Sequence, residues 1–151
     1  GFEFPGRGQE KQRGVTAATG GEGELGPNQI RAGALKLIER TAFGRPIGKF
    51  QAIRHKVADM ATKIEASKQF TYSVAWRVNN GEYPVREISM AKLLSAQMAC
   101  EVADQTIQIL GGYGYMKEYE VERHYRDIRL NRIGAGTDEV MLDVIGRSYG
   151  L

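Results

Sequence analysis

The stretch FQAIRHKVADMATKIEASKQFTYSVAWRVN, residues 50–79, decides the fold of this chain. Apolar or small side chains recur along it every seven residues in two registers. One register holds Phe50, Val57, Ile64, Thr71 and Val78, and the other holds Ile53, Met60, Ser67 and Val74. A two-position seam of about four heptads is typical of a long helix that packs lengthwise against another helix. The seam could serve the internal core or a partner helix.

Residues that end helices divide the sequence after this segment. Asn80 and Gly81 follow the seam helix directly, and glycine adopts the left-handed conformation that ends helices without a steric clash. A further helix is expected over residues 85–110, because Gly111 and Gly112 end its apolar pattern in the same way. The sequence therefore predicts two long consecutive helices joined by a short turn.

Shorter helices are expected on both sides of this pair. One should run from Pro27 to about Gly44, because proline suits a first helical turn and glycine a position just past the last. The segment YGYMKEYE, residues 113–120, predicts a turn. Two further helices then follow, over about residues 121–133 and 137–149.

Residues 1–26 differ from the rest, because they hold eight glycines. Glycine costs about 1 kcal/mol relative to alanine in a helix interior, so we expect a loop or poor order there, with at most a short helix over residues 9–18. No strand-like alternation of useful length appears in the chain. The predicted fold is all-α, an up-and-down four-helix bundle over residues 27–151.

Composition excludes several classes of protein. The apolar and charged fractions, 42% and 26%, are ordinary for a soluble globular protein. The net charge of +3 is small for a nucleic-acid binder. The single cysteine, Cys100, cannot form an internal disulfide, which fits a reducing compartment. No apolar run reaches the roughly 18 residues of a membrane span, and no signal peptide is visible, so the protein is not expected to be secreted.

Two glycine-containing stretches are candidate sites. QILGGYGY, residues 108–115, is either a helix end with a tight turn or a bare backbone that a ligand can approach. In GAGTDEV, residues 134–140, Thr137 can cap a new helix whose first acids favour the positive end of its dipole. The same helix start offers amide groups to an anionic ligand. The structural and functional interpretations of this loop are compatible.

A row of basic side chains precedes that loop, at Arg123, Arg126, Arg129 and Arg132. On one helix they could meet phosphates, but Glu122 and Asp127 lie among them, so we expect internal ion pairs. His55 and His124 have no second ligand at metal spacing, and no metal site is expected.

Three motifs, in this order, resemble the C-terminal helical domain of the acyl-CoA dehydrogenases. They are RTAFGRPIGKFQAIRHKVADM (residues 40–60), QILGGYGYMKEYEVERHYRDIRL (108–130) and RIGAGTDEVMLDVIGR (132–147). The Ile-Gly-Ala-Gly-Thr loop resembles the isovaleryl and long-chain branch. The resemblance implies a flavoprotein that removes the α and β hydrogens of an acyl-CoA thioester. It also implies that FAD lies between this bundle and a middle β-domain.

The resemblance further implies which residues meet the cofactor and the substrate. Arg40 matches the family arginine that contacts the FAD pyrophosphate, and Gln51 matches a residue at the FAD edge. The segment against the ADP part corresponds to Gln108, Ile109, Leu110, Gly111 and Gly112. A second FAD contact corresponds to Thr137, Asp138 and Glu139. The loop beside the acyl chain corresponds to Ala135 and Gly136.

The resemblance does not assign a catalytic base. Proton abstraction next to a thioester needs a carboxylate close to the α-carbon. Many family members carry that glutamate where this chain has Ala135. In the isovaleryl and long-chain branch it lies upstream, at a position that falls near Gly14 here, and Glu10 is the nearest acid.

The resemblance implies acyl-CoA as substrate, FAD as cofactor and an electron-transfer flavoprotein as electron acceptor. It also implies a homo-oligomer, dimer or tetramer, in the bacterial cytoplasm or the mitochondrial matrix. Because no stretch resembles the other two domains of the family, we expect a fragment or truncated member. The alternative hypothesis is a non-catalytic helical assembly module without flavin. A third hypothesis is nucleic-acid binding through the arginine row.

Overall fold

The computed structural model describes residues 40–151. Its elements are strands β1 (Thr41–Ala42) and β2 (Arg45–Pro46), a 3-10 turn (Ile47–Lys49), helices α1 (Gln51–Asn79), α2 (Val85–Leu110), α3 (Gly112–Tyr115) and α4 (Glu120–Arg129), a 3-10 turn (Leu130–Arg132) and helix α5 (Asp138–Arg147). Helix α2 is the central element, because it packs against α1, α4 and α5. The predicted all-α fold is confirmed. None of these helices is long and apolar enough to cross a membrane.

The heptad seam of α1 is buried mainly in one of its two registers. Met60, Ser67 and Val74 are buried, whereas Thr71 and Val78 are exposed. The buried positions of α2 are mostly small, at Ser89, Ala91, Ala96 and Ala103. Small side chains let packed helix backbones approach closely. The first half of the seam therefore belongs to the internal core, and its last turns leave one register on the surface.

The segment before α1 is a hairpin and not the end of a helix. The predicted helix end near Gly44 is wrong, because two strands of two residues each, β1 and β2, pair antiparallel there. Phe43 and Gly44 both have positive φ, 52° and 76°, which reverses the chain between the strands. A right-handed helix cannot continue through two such residues. The predicted start of this helix, Pro27, lies outside the described residues.

The later helix boundaries follow the sequence closely, with one correction. Helix α2 spans the predicted residues 85–110, and α4 with its 3-10 turn, and then α5, occupy the two predicted helical segments after it. The predicted turn over residues 113–120 is wrong in its first half, because α3 forms there. The expected loop over residues 1–26, with its short helix, lies outside the described residues.

Gly114 explains why α3 can form against the end of α2. A Cβ at this buried position would lie 2.8 Å from the carbonyl oxygen of Ile107 and 2.9 Å from its Cα. Real Cβ atoms do not come so close to main-chain atoms. The missing side chain therefore lets α3 fold back onto the last turn of α2.

Candidate functional site

The first candidate site is a cluster that we call the arginine corner: Arg40, Ile109, Leu110, Gly111 and Tyr113. Nη1 of Arg40 donates hydrogen bonds to the carbonyl oxygen of Ile109, at 3.3 Å, and to that of Leu110. These carbonyls belong to the last turn of α2, where helical partners run out and the negative end of the helix dipole lies. The guanidinium also lies 5.2 Å from the centre of the Tyr113 ring.

The hairpin and the core hold Arg40 in this place. The main-chain N–H of Ile47 donates to the carbonyl oxygen of Arg40 at 2.8 Å. Ile47 also belongs to a buried apolar cluster with Met60 of α1 and Ile109 of α2. The corner therefore rests on the contact between the hairpin and the two long helices.

The two residues that follow α2 beside the guanidinium, Gly111 and Gly112, have no side chains. Gly111 ends α2 with a φ of 58°, and a Cβ there would lie 3.5 Å from Nη1 of Arg40. At Gly112 a Cβ would meet nothing within 4 Å. A guanidinium has five N–H donors, more than two carbonyls use. Such an arrangement suits a phosphate-bearing ligand that must approach both an arginine and a bare backbone.

Both glutamines that the resemblance names are exposed. Gln51 is the first residue of α1, and Gln108 lies in the last turn of α2. The structure places Arg40 against Ile109 and Leu110, two residues of the Gln108–Gly112 segment.

The second candidate site, the glycine corner, is the loop of residues 133–137 before α5. Ala135 and Gly136 have φ values of 54° and 101°, in the left-handed region. For a residue with a side chain this conformation costs roughly 1–2 kcal/mol. Thr137 then caps α5, since its Oγ1 accepts a hydrogen bond from the N–H of Val140 at 3.4 Å. The predicted helix cap is confirmed.

Asp138 lies behind this loop and is only 5% exposed. Its Oδ2 accepts a hydrogen bond from Nε of Arg132 at 2.6 Å and another from Nε2 of Gln97 at 3.2 Å. Burial raises the pKa of Asp138, but the hydrogen bonds from Arg132 and Gln97 outweigh it and hold the pKa below its usual value. Close to this group, Nζ of Lys92 donates to the carbonyl oxygen of Gly136. We call Lys92, Gln97, Arg132 and Asp138 the loop clamp.

One oxygen of the clamp has no partner. Oδ1 of Asp138 is buried and accepts no hydrogen bond from the described residues. Leaving a buried polar group unpaired costs about 1–3 kcal/mol. Glu139, the next residue, is exposed instead, and the bond from its own main-chain N–H, followed by that of Thr137, lowers its pKa.

The structure does not bring the two corners together. Lys92 and Leu110 are 18 positions apart in α2. At the helical rise, they lie about 27 Å apart along the axis. The site residues predicted from the sequence therefore form two groups, one at the C-terminal end of α2 and one near its N-terminal end.

Sequence reasoning missed Lys92 and Gln97. Lys92 lies 44 positions before Gly136, and Gln97 lies 41 before Asp138, so no local pattern connects them. Both are ordinary polar residues of a helix in the sequence. Only the packing of α2 against α5 assigns them to the loop.

Two of the four arginines of the row form ion pairs, and Arg126 does so with Glu122, one of the two predicted partners. Nε of Arg126 lies 3.0 Å from a carboxylate oxygen of Glu122, and Arg132 pairs with Asp138. Among residues 40–151, no group of three or more histidine, cysteine or acidic side chains is placed to hold a metal ion.

An open groove of about 310 Å³ lies between α2 and α4 and borders the loop clamp. It is lined by Gln97, Cys100, Glu101, Asp104, Tyr125, Arg129 and Arg132. Acidic side chains on α2 face basic ones near α4, so the groove has no single charge.

Comparison with known proteins shows the family to which the chain belongs. Residues 34–150 match the family described as acyl-CoA dehydrogenase, C-terminal domain. The chain is 47% identical over 109 residues to a mitochondrial isovaleryl-CoA dehydrogenase of Oryza sativa, covering 72% of this chain and 27% of that protein. It is 47% identical over 107 residues to a protein of Acetobacterium woodii named caffeyl-CoA reductase-Etf complex subunit CarC, covering 71% of this chain and 28% of the other.

A solved structure gives the same result for the fold. The acyl-CoA dehydrogenase of Geobacillus kaustophilus superposes with a TM-score of 0.78 at 40% identity, over 81% of this chain and 32% of that one. The chain therefore spans less than a third of the length of these relatives. It belongs to the acyl-CoA dehydrogenase family, and residues 34–150 are its C-terminal domain.

Proposed function

We propose that this chain is part of an FAD-dependent enzyme that dehydrogenates acyl-CoA thioesters between the α- and β-carbons. In this proposal the bundle helps to bind FAD, lines part of the acyl-CoA pocket and builds a homo-oligomer. The observation that carries the proposal is the arginine corner, where a guanidinium lies on a helix end without side chains. The guanidinium has N–H donors beyond those that the two carbonyls use, and these could meet the pyrophosphate of a dinucleotide.

The residues present fit FAD. Arg40 would hold the pyrophosphate, and the main chain of residues 108–112 would lie against the ADP part, with Gln51 at the edge of the cofactor. When bound, FAD would supply the acceptor for the hydride that leaves the β-carbon. The fit is supported by the exposed, side-chain-free Gly111 and Gly112, which leave room for a ligand beside Arg40.

The glycine corner would serve the other side of the reaction. Thr137, Asp138 and Glu139 would form the second contact with FAD, with Asp138 contributing its main chain because its side chain is buried. Ala135 and Gly136 would border the acyl chain. Exposed apolar side chains lie on and beside this loop, at Leu130, Ile133 and Val140. They suit a hydrocarbon chain or an apolar subunit contact.

The separation of the corners supports the proposed oligomer. The corners are about 27 Å apart along α2, so they would contact different parts of the bound cofactor and substrate. The resemblance implies that the ADP part of FAD reaches the bundle of a neighbouring subunit, so the arginine corner would meet a neighbour's cofactor and the glycine corner the subunit's own substrate.

The described residues offer no free carboxylate as a base at the loop. Ala135 carries none, Asp138 is buried and ion-paired, and Glu139 lies inside α5. We therefore place the base outside residues 40–151, with Glu10 as the candidate in this chain. The proposed electron acceptor is an electron-transfer flavoprotein, which the name of the Acetobacterium woodii relative supports. The proposed compartment is the bacterial cytoplasm or the mitochondrial matrix.

FAD binding to the purified chain tests the proposal. We expect FAD titrated into the chain to bind measurably, but more weakly than it would with the other domains of the family present, and Arg40→Lys to weaken that binding by about tenfold or more. Lysine keeps the charge but loses the two-pronged geometry that matches a phosphate. Arg45→Lys is the matched control, because Arg45 lies in the same hairpin with its guanidinium over the Phe50 ring.

Two outcomes would contradict the proposal. Equal FAD affinity in the wild type and in Arg40→Lys would remove the assigned role of Arg40. A stable oligomer in sedimentation that retains no flavin would favour the alternative of a non-catalytic assembly module.

A further inference from the structure

We propose that Asp138 is a positioning residue that, with the rest of the loop clamp, holds Ala135 and Gly136 in their left-handed conformation. The proposed function would make this corner a wall of the acyl-CoA site, and the relevance of the clamp to substrate rests on that function. The conformational role itself depends only on the geometry of the chain.

The clamp attaches the loop from both sides. Arg132 precedes the loop and Asp138 follows it, so their ion pair, at 2.6 Å, connects the two ends of the loop. Gln97 and Lys92 both come from α2, and they bond to Asp138 and to the carbonyl of Gly136. The loop is thus tied to itself and to the central helix at the same time.

The backbone of the loop needs such attachments. Ala135 has a φ of 54°, a conformation that residues with a side chain avoid. Strained residues of this kind persist only where the surrounding structure determines them. Gly136, at a φ of 101°, also packs tightly, since a Cβ there would lie 2.6 Å from Cε of Met141.

The unpartnered oxygen of Asp138 argues that the clamp selects a conformation. A buried carboxylate with one empty acceptor is a poor way to stabilise a fold, because an apolar side chain would avoid the desolvation of the charge. Buried charged groups can instead specify one arrangement among several. Here the arrangement specified is the left-handed corner between Arg132 and Asp138.

Amide hydrogen exchange in the 151-residue chain tests the clamp without flavin. Ile133 and Gly134 report on the loop, because their N–H groups donate to the carbonyl of Leu130 at 2.9 Å and 2.7 Å. In Asp138→Asn we expect both to exchange about tenfold faster or more, while the protected amides of α1 change much less. Gln97→Ala, which removes one donor, should give the same pattern with a smaller factor.

Asp143→Asn is the matched control. Asp143 lies in the same helix and pairs with Arg147 at 2.9 Å, but both side chains are exposed. Exposed pairs contribute little, so its loop exchange should stay within about twofold of the wild type. Equal acceleration in Asp138→Asn and Asp143→Asn would overturn the proposal.

Rescue by glycine separates positioning from simple loss of stability. Glycine adopts positive φ without strain. Adding Ala135→Gly to Asp138→Asn should therefore slow the amide exchange of Ile133 and Gly134 about fivefold relative to Asp138→Asn alone. The same change should have a smaller effect in the wild type and in Asp143→Asn. An identical effect in all three backgrounds would show that Asp138 does not act through the corner.

The tests of the two proposals are distinguishable. If Arg40→Lys binds FAD as tightly as the wild type, the proposed role of the arginine corner fails while the exchange experiment still reports on the clamp. If Arg40→Lys weakens FAD binding and the loop exchanges normally in Asp138→Asn and Gln97→Ala, the positioning role alone is wrong.

Discussion

The arginine corner and the glycine corner lie at two levels of the same helix and are built in opposite ways. At the arginine corner, a long side chain satisfies the last carbonyls of α2, and Gly111 supplies the positive φ. At the glycine corner, an alanine carries the positive φ and a buried carboxylate keeps one oxygen unpaired. At the arginine corner, each group has a partner or a residue type that its conformation favours. At the glycine corner, an unfavourable conformation is held by the side chains of the loop clamp.

The largest expected effect comes from Gly114, which lies next to the arginine corner and packs against the end of α2. Gly114→Ala places a Cβ within 3 Å of two main-chain atoms of Ile107, so the end of α2 or α3 must move. We expect a loss of about 3 kcal/mol in the free energy of unfolding, measured by urea denaturation. Gly112→Ala is the control, because a Cβ there meets nothing within 4 Å, and we expect a change within about 0.5 kcal/mol. Similar losses in both variants would contradict the close contact.

A smaller effect, of opposite sign, is expected at the glycine corner. Ala135→Gly should raise the free energy of unfolding by about 0.5 kcal/mol, because the relieved strain of a positive φ exceeds the extra entropy that glycine gives the unfolded chain. Gly136→Ala should lower it, because alanine adds that strain and a contact with Met141. Urea denaturation of both variants measures the pair. A loss of stability in Ala135→Gly would show that the corner is not strained.

Acid should have the smallest effect, and only on the glycine corner. Because the folded pKa of Asp138 is lowered, its contribution to stability is present above its usual value of 3.8 and is lost as the pH falls below it. The arginine corner joins a guanidinium to carbonyl oxygens and contains no carboxylate. We expect the stability of Asp138→Asn to fall less steeply than that of the wild type between about pH 5 and pH 2, by urea denaturation. Both proteins should be measured in a Glu87→Gln background. The hydrogen bond from Arg86, with smaller contributions from other groups, lowers the pKa of Glu87 to about 2, so this second carboxyl would otherwise titrate in the same range.

Much of the fold could be predicted because helix signals are local. The seam of residues 50–79 and the glycines after residue 110 act within a few turns, and the structure follows them to within a residue or so. The hairpin was missed because Gly44 reads equally well as a helix end. Phe43 was missed because nothing in its chemistry announces a positive φ.

The candidate site was predicted less completely than the fold. The resemblance named Arg40 and residues 108–112, and the structure joins them across 70 positions. It also named Asp138 as a cofactor contact, but the structure buries that side chain against Arg132. Lys92 and Gln97 carried no signal, because their partners are more than 40 positions away.

The sequence by itself determined where the long helices begin and end, where the two apolar registers of α1 lie, and where bare glycine backbone occurs. These properties depend on side-chain periodicity and backbone preference over a few neighbouring residues. Only the tertiary structure decided that Arg40 covers the end of α2, that the site residues separate into two corners, and that α2 supplies the side chains behind Ala135. Those features depend on which distant residues the packed helices bring within hydrogen-bond distance, and no local pattern encodes that distance.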